Sequence, residues 1–385
     1  MDNIAGTKSS LTWAVHISVA LLVILWLFPT VGLFVSSFRT ADQISSSGWW
    51  KALFPTEQSL VVRAAGADAQ ELQNGVYVIE GNLFTGENLP EGIDMSAWGT
   101  SSRDVGAYAP GDTAELRRGG TITVEANGDY RIESAEEIGG NRGQRVFVTA
   151  ELPPDFTLAN YEQVLFSGDR TDSMAKAFFN TLTVTIPATI IPIVIAAFAA
   201  YALAWMDFPG RALLIAAVVG LLVVPLQLAL IPLLKLHLNI GIGKGYLGTW
   251  LAHTGFGLPL AIYLLRNYMV GLPRDIIENA RVDGATEFQI FTKIILPLSF
   301  PALASFAIFQ FLWTWNDLLV AKVFLIDATG QTTVMTNQIV ELLGTRGGNW
   351  EILATAAFVS IAVPLLVFFA MQKYLVRGLL AGSVK

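Results

Sequence analysis

The sequence predicts an α-helical polytopic membrane protein of six transmembrane helices, with a small, mostly β unit inserted between helices 1 and 2. Three observations carry that prediction. Of the 385 residues, 53% are hydrophobic and only 14% charged, and the mean hydropathy is +0.53, a balance too apolar for an ordinary soluble chain. Six apolar runs reach the roughly 20 residues that a hydrocarbon core requires. One stretch of different character, residues 41–158, is polar and rich in Gly, Asp and Glu. The chain therefore divides into residues 1–40, an N-terminal segment with the first span; residues 41–158, the insert; and residues 159–385, the helical core.

The first run extends from about Leu11 to Phe38. A signal peptide is the rival reading, because Lys8 precedes it. Signal peptides have a shorter apolar core followed by a small-x-small cleavage site, whereas this run continues to the edge at Val35-Ser36-Ser37-Phe38, so a retained helix is expected.

The insert holds eighteen acidic against eight basic residues, a net of −10 that leaves the rest of the chain at +3. Strand candidates are Leu60 to Arg63, Val76 to Glu80, Thr121 to Glu125, Tyr130 to Glu133 and Arg145 to Thr149, with Asn127-Gly128 as a turn signal. A three-residue loop, Asn127 to Asp129, is expected there. It pairs Val124 with Ile132 and Ala126 with Tyr130 on one face, and Glu125 with Arg131 on the other. Carboxylates are dispersed, histidine is absent and no Asp-x-Asx-x-Asx-Gly loop occurs, so neither a catalytic nor a calcium site is expected. The insert is either a solvated decoration or a docking surface for a soluble partner.

Five further apolar runs lie at about Ala177 to Trp205, Ala212 to Leu234, Tyr246 to Val270, Leu298 to Leu325 and Ile352 to Leu375. Prolines 187, 192, 225, 232, 259 and 364 lie inside them; neighbouring helices in a bundle re-satisfy the carbonyls that such prolines free. Six spans keep both termini on one side. Near the span ends, Lys8, Arg211, Arg266, Arg274, Arg281, Lys293, Lys373, Arg377 and Lys385 collect on one face, against Lys235, Lys244, Lys322 and Arg346 on the other. The basic excess places both termini in the cytoplasm and the insert outside.

The segment Pro273 to Pro297 is the polar interruption that most needs a reason. Pro273 suits a first helical turn, Asp275 and Glu278 put negative charge near the helix start, and Asp283-Gly284 supplies a stop. A second helix follows, with Thr286 and Gln289 at capping-box spacing, and ends at Leu296-Pro297. Two short helices meeting at a glycine make a knob on the cytoplasmic side. An amphipathic hairpin lying on lipid would carry a broad apolar face and lysines. The alternation Arg274, Asp275, Glu278, Asn279, Arg281 instead suits a groove in a protein.

Glu278-Asn279-Ala280, with Asp283-Gly284, Ile294 and Leu296-Pro297 at matching spacing, resembles the EAA loop of ABC importer permeases, the coupling element of that family. Asn279 departs from the alanine usual there. Phe156 to Tyr161 resembles the segment before the second span of carbohydrate-uptake permeases, and Leu312 to Asp317 their fifth-span signature. The tail from Gln372 to Lys385, including Arg377, Gly378, Gly382 and Lys385, resembles that of the smaller maltose-type permease and implies contact with the ATPase. An enlarged loop between the first two spans is similar to that of α-glucoside uptake permeases. The resemblance implies a type I ABC importer fold in a bacterial inner membrane. It also implies a second permease subunit, two copies of an ATPase subunit and an extracytoplasmic sugar-binding protein.

On that reading the chain is not itself an enzyme, and ATP and Mg belong to the partner ATPase. Gly241-Ile242-Gly243-Lys244-Gly245 lacks the first glycine and the hydroxyl of a phosphate loop and is expected to be an interhelical turn. Cysteine is absent, and His16, His237 and His253 are too scattered for a metal site. No nucleic-acid partner is implied; membrane lipid surrounds the spans.

For the substrate path, Gln310, Thr314 and Asp317 fall at helical spacing on the fifth span, with Trp313, Trp315 and Asn316 adjoining. Amide, carboxylate and aromatic groups are what a sugar needs, although such residues also anchor or bridge helices. Gln331, Asn337, Arg346 and Asn349 in the outer loop are candidates for contact with a docked binding protein, or parts of a plain connector. An ion-coupled secondary transporter fits poorly, since the spans hold few carboxylates and show no inverted repeat. A permease for a non-sugar solute shares the same coupling loop and stands as the alternative.

Overall fold

A computed structural model describes residues 10–85, 93–117, 119–139, 142–166, 173–345 and 349–380. The chain forms two compact units, residues 1–160 with 348–355, and residues 161–347 with 356–385.

In the first unit, α1 (Ser10–Ser36) is apolar on every side and leaves most of its side chains exposed, which is the surface of a helix meant for lipid or a neighbouring span. Phe28 packs on Trp49, ring centroids 4.6 Å apart, with Trp50 beside them, an aromatic cluster of the kind that sits at a membrane interface. α2 (Ala41–Ser46) starts with a capping box between Thr40 and Gln43.

Among the described residues eight strands follow: β1 (Thr56–Arg63), β2 (Glu71–Gln73), β3 (Val76–Asn82), β4 (Met95–Gly99), β5 (Thr113–Glu115), β6 (Thr121–Val124), β7 (Asp129–Ser134) and β8 (Arg145–Leu152). They build two antiparallel sheets of order β1-β8-β4 and β2-β3-β7-β6-β5. Every second residue of β7 and β8 is buried. Val62, Val146 and Val148 from one sheet and Ile79, Ile122 and Ile132 from the other share one core around Trp98, whose indole donates to Ala109 O at 3.0 Å.

The hairpin between β6 and β7 differs from the expected register. Val124 pairs with Tyr130, Thr123 with Arg131 and Ile122 with Ile132. The loop has three residues, but they are Ala126 to Gly128, closed by Glu125 N–H to Asp129 O at 2.8 Å, with Gly128 at φ +87°. A turn ending on a left-handed glycine places Gly128, not Asp129, at the last loop position. Arg131 therefore faces Thr123 and forms ion pairs with Glu80 and Glu133 instead of Glu125. Strands β2, β4 and β5 went unpredicted.

After β8 the chain returns to the end of α1. Thr157 N–H donates to Phe38 O at 2.8 Å, and the buried Asn160 amide donates to Ser37 O at 3.0 Å and Arg39 O at 2.9 Å. A long insertion whose two ends are held together in this way is tolerated, because closing a longer loop costs little extra.

α3 (Ala159–Leu165) leads to the helices of the second unit: α4 (Met174–Trp205), α5 (Arg211–Leu221), α6 (Leu226–Asn239), α7 (Tyr246–Val270) and α8 (Arg274–Val282). Next come α9 (Glu287–Ile290), a π turn over Phe291–Ile295, α10 (Leu296–Leu298), α11 (Phe300–Trp315), α12 (Leu319–Phe324), α13 (Met335–Thr345) and α14 (Trp350–Leu380). Among the described residues, α1, α4 and α14 are long and apolar enough to cross a membrane. Counting α5–α6 and α9–α11 as one bent span each raises the number to five. α7 has 25 residues but is diluted by Gly248, Thr249, His253 and Thr254.

Two predicted spans are not continuous helices. The run Ala212 to Leu234 breaks before Pro225, and α5 and α6 diverge by 110°. A residue preceding proline avoids the helical region, and the proline cannot donate back into the first helix. The run Leu298 to Leu325 is likewise divided. α10 and α11 meet at Ser299 with a 70° bend between Pro297 and Pro301, and α11 stops at Trp315. There the Asn316 amide donates to Leu312 O at 2.8 Å, while Asp317 Oδ2 accepts the Ala321 N–H at 3.1 Å, so one residue closes α11 and the next opens α12.

Candidate functional site

The knob between α7 and α11 forms as its turn chemistry requires. α8 ends at Gly284, φ +82°, in a Schellman arrangement: Gly284 N–H donates to Arg281 O and Ala285 N–H to Ala280 O, both at 3.0 Å. Thr286 then opens α9 with a capping box. Its hydroxyl accepts the Gln289 N–H at 3.3 Å, and the Gln289 side-chain Oε1 accepts the Thr286 N–H at 2.9 Å.

One side of the knob is anchored. Ile277, Ile290, Phe291 and Ile295 are buried against Ala196, Ala197, Ala200 and Ala204 of α4, Leu265 and Met269 of α7, and Phe306 of α11. Phe291 lies 4.7 Å from Phe198 and 5.3 Å from Tyr201, centroid to centroid. The small side chains of α4 allow this close approach. A polar clamp completes the anchor: Arg281 Nε donates to Glu287 Oε1 at 2.9 Å, Tyr201 Oη donates to Glu287 Oε2 at 2.5 Å, and Arg281 Nη2 reaches Trp205 O at 3.3 Å. Arg211 donates to Leu203 O and Ala204 O, both at 3.0 Å. Two guanidinium groups thus satisfy the last carbonyls of α4, the favourable place for positive charge on a helix.

The other side is open. Asp275, Glu278, Asn279 and Asp283 are exposed, as are Val282 at 86% and Phe288 at 65%. Of the motif residues, Ala280, Ile294 and Leu296 are half-buried, and Gly284 and Pro297 lie on the surface. Tyr201, Glu287, Val282 and Phe288 stand outside the motif residues, although each lies on one of the two sides of the knob. The stripe Ala196, Ala197, Ala200, Ala204 is the signal that could have located the seat of the knob.

The polar residues of the fifth span separate into two groups. Gln310 is buried, with Nε2 donating to Ala188 O at 3.1 Å, and Gly257 leaves it room: a Cβ there would stand 2.6 Å from Gln310 Oε1. Thr314 is buried too, and Trp315 is buried with its indole donating to Ser360 O at 3.0 Å. Asp317 is largely buried at the start of α12, its Oδ2 3.8 Å from His253 Nε2. Trp313, 41% exposed, and Asn316 face outward.

In the segment after α12, Asn180 donates to Gln331 O and Thr333 O, both at 2.9 Å, and Tyr246 Oη donates to Asn180 Oδ1 at 2.8 Å. Lys176 bonds the Gln331 side chain, and Asn337 donates to Glu341 at 2.6 Å. Asn349 lies just before α14; Arg346 is outside the described residues. Residues 241–245 form a turn in which Ile242 and Gly243 N–H donate to His237 O. Arg377 and Gly378 belong to the last turn of α14, and Gly382 and Lys385 lie outside the described residues.

Residues 158–380 match the model of the family described as binding-protein-dependent transport system inner membrane component. The chain is 60% identical over 383 residues to the alpha-glucoside transport system permease protein AglG of Rhizobium meliloti, covering 98% of both. It is 58% identical over 230 residues to the osmoprotective compounds uptake permease protein GgtD of Synechocystis sp., covering 60% of this chain and 76% of that one. The trehalose transport system permease protein SugB of Mycobacterium tuberculosis is 34% identical over 239 residues, 61% of this chain and 84% of its own. The chain belongs to the binding-protein-dependent transport system inner membrane components, the permease subunits of ABC importers, whose ATPase is a separate subunit.

Proposed function

We propose that this chain is the permease subunit of an importer for α-glucosides or related oligosaccharides, and that the knob over residues 273–297 is where it receives the work of ATP hydrolysis. The observation that carries the coupling role is the division of the knob. Ile277, Ile290, Phe291 and Ile295 bind it to α4, α7 and α11, while Glu278, Asn279, Val282 and Phe288 remain open to a partner. A push on the open side is delivered to the buried side, and so to the ends of three helices, without passing through a flexible joint. Glu278 pairs with a basic group of the ATPase, and Val282 and Phe288 fill an apolar cleft in it. ATP and Mg are held by that partner, present in two copies beside a second permease subunit.

The orientation follows from the basic side chains at the span ends, with knob and termini in the cytoplasm and the insert outside, near an extracytoplasmic binding protein. Of the fifth-span residues, Trp313 and Asn316 are open in this chain and supply aromatic and amide contacts to a sugar passing between the two permease subunits. Gln310, Thr314, Trp315 and Asp317 fix the helix that presents them. The C-terminal tail, with Arg377, Gly378, Gly382 and Lys385, reaches the ATPase.

Identity of 60% extending through the insert favours α-glucosides. Identity of 58% to an osmoprotectant permease, in a match that leaves 40% of this chain uncovered, supports a second reading in which the core serves small osmoprotective solutes. Substrate-stimulated ATPase activity of the reconstituted transporter, measured over a panel of α-glucosides and a panel of osmoprotective solutes, separates the two. Stimulation by α-glucosides is expected. Stimulation by osmoprotectants alone transfers the assignment, and stimulation by neither panel removes it.

A further inference from the structure

The insert contains a cleft of about 720 Å³ where its two sheets part, bounded by the start of β8, the end of β1, the β5–β6 turn and the segment after β7. That volume is in the range of small-molecule sites, roughly 300–1,000 Å³. Ile79 and Ile132, 1% and 3% exposed, form part of its floor. Arg63, Arg117, Arg142 and Arg145 line it, half of the eight basic residues in a domain of net charge −10.

None of these four arginines forms an ion pair among the described residues, and the two acidic residues of the cleft, Glu136 and Glu137, form none either. Arg63 and Arg145 are direct partners across the β1–β8 ladder. Like charges directly opposite on a sheet are destabilising, and an acidic domain has carboxylates in abundance with which to relieve them. Four exposed guanidinium groups without a carboxylate partner among the described residues, two of them opposed on the sheet and all lining one cleft, are what a site for a negatively charged ligand requires. Guanidinium forks bind carboxylate and phosphate in bidentate fashion and bind neutral hydroxyls less strongly.

We propose that this cleft is a ligand site for a small organic oxyanion, a carboxylate- or phosphate-bearing molecule held by the arginines at its rim. The site is separate from the coupling knob and does not depend on the transported solute. Isothermal titration of the purified full-length chain in detergent would use D-glucuronate and glucose 6-phosphate as probes, inorganic phosphate for the bare charge and maltose as the neutral comparator. Saturable binding of glucuronate or glucose 6-phosphate is expected, weakening as salt rises. The double variant Arg117→Gln/Arg142→Gln should weaken it about tenfold or more, while Arg103→Gln, outside the cleft, leaves it unchanged. Arg145→Gln should also weaken binding yet not lower the melting temperature, since it removes one of two opposed positive charges; a purely structural arginine would show the reverse. Absence of binding by both organic anions, maltose binding as tightly as glucuronate, phosphate binding alone, or equal effects of Arg103→Gln and the double variant would each overturn the proposal.

Discussion

Gly284 joins α8 to α9 at φ +82°, where a Cβ meets no neighbour but strains its own backbone. Gly284→Ala should cost about 1–2 kcal/mol locally and leave association with the ATPase measurable. Gly284→Pro, fixed near φ −65°, cannot form the turn and should abolish co-purification with the ATPase. Glu278→Lys leaves the fold intact and reverses an exposed charge, so a selective loss of ATPase association is the expected result, read by the same co-purification. At the fifth span, Asn316→Ala should raise the uptake KM several-fold; an unchanged KM and kcat would show that Asn316 only closes α11. This residue-level picture was half legible. The glycine, the capping pair Thr286/Gln289 and the exposed Glu278 follow from local turn chemistry. The clamp of Arg281 and Glu287 with Tyr201 joins residues 86 positions apart, and no periodicity announces that.

The helical knob holds its place by packing more than by its clamp. Arg281 and Glu287 are each about two-fifths exposed, so their ion pair contributes on the order of 0.2–1 kcal/mol. Ile290 is fully buried, and Ile290→Ala should cost about 2–5 kcal/mol. Loss of substrate-stimulated ATPase activity and a lowered melting temperature check this, with Glu287→Gln giving a smaller change in both. In the β6–β7 hairpin, hydrogen bonds from the Asn82 and Asn127 amides hold the Asp129 carboxyl below the usual carboxylate range. A depressed native pKa supplies stability above the unfolded value, near pH 4, that is lost as pH falls through the native one. Hydrogen-exchange protection at the loop Ala126–Gly128, taken relative to the intrinsic exchange rate at each pH, should therefore fall on acidification, and Asp129→Asn should remove that dependence. The hairpin itself was readable from Asn127-Gly128. Its register was not, because moving the three-residue loop by one position leaves the same side chains facing the core and changes only their partners.

At the scale of the whole chain, the absence of cysteine makes topology testable without background. Glu57→Cys in β1 and Asp275→Cys on the knob, both exposed, should react with an impermeant maleimide from opposite sides of the membrane, Glu57→Cys from outside in intact cells. Labelling of both from one side would overturn the orientation proposed from the basic side chains. The sequence by itself determined the apolar helical class, the presence of a β-rich region and the helix–glycine–helix form of the knob. Those depend on composition and on side chains acting within four or five residues of one another. Only the tertiary structure decided where the spans bend, which side of the knob is anchored, which fifth-span residues remain open, and that four arginines converge on one cleft. Each of these depends on which distant surfaces meet, and that is settled by the fit of opposing faces, alanines of α4 against Ile290 and Phe291, β1 against β8, and not by any local pattern along the chain.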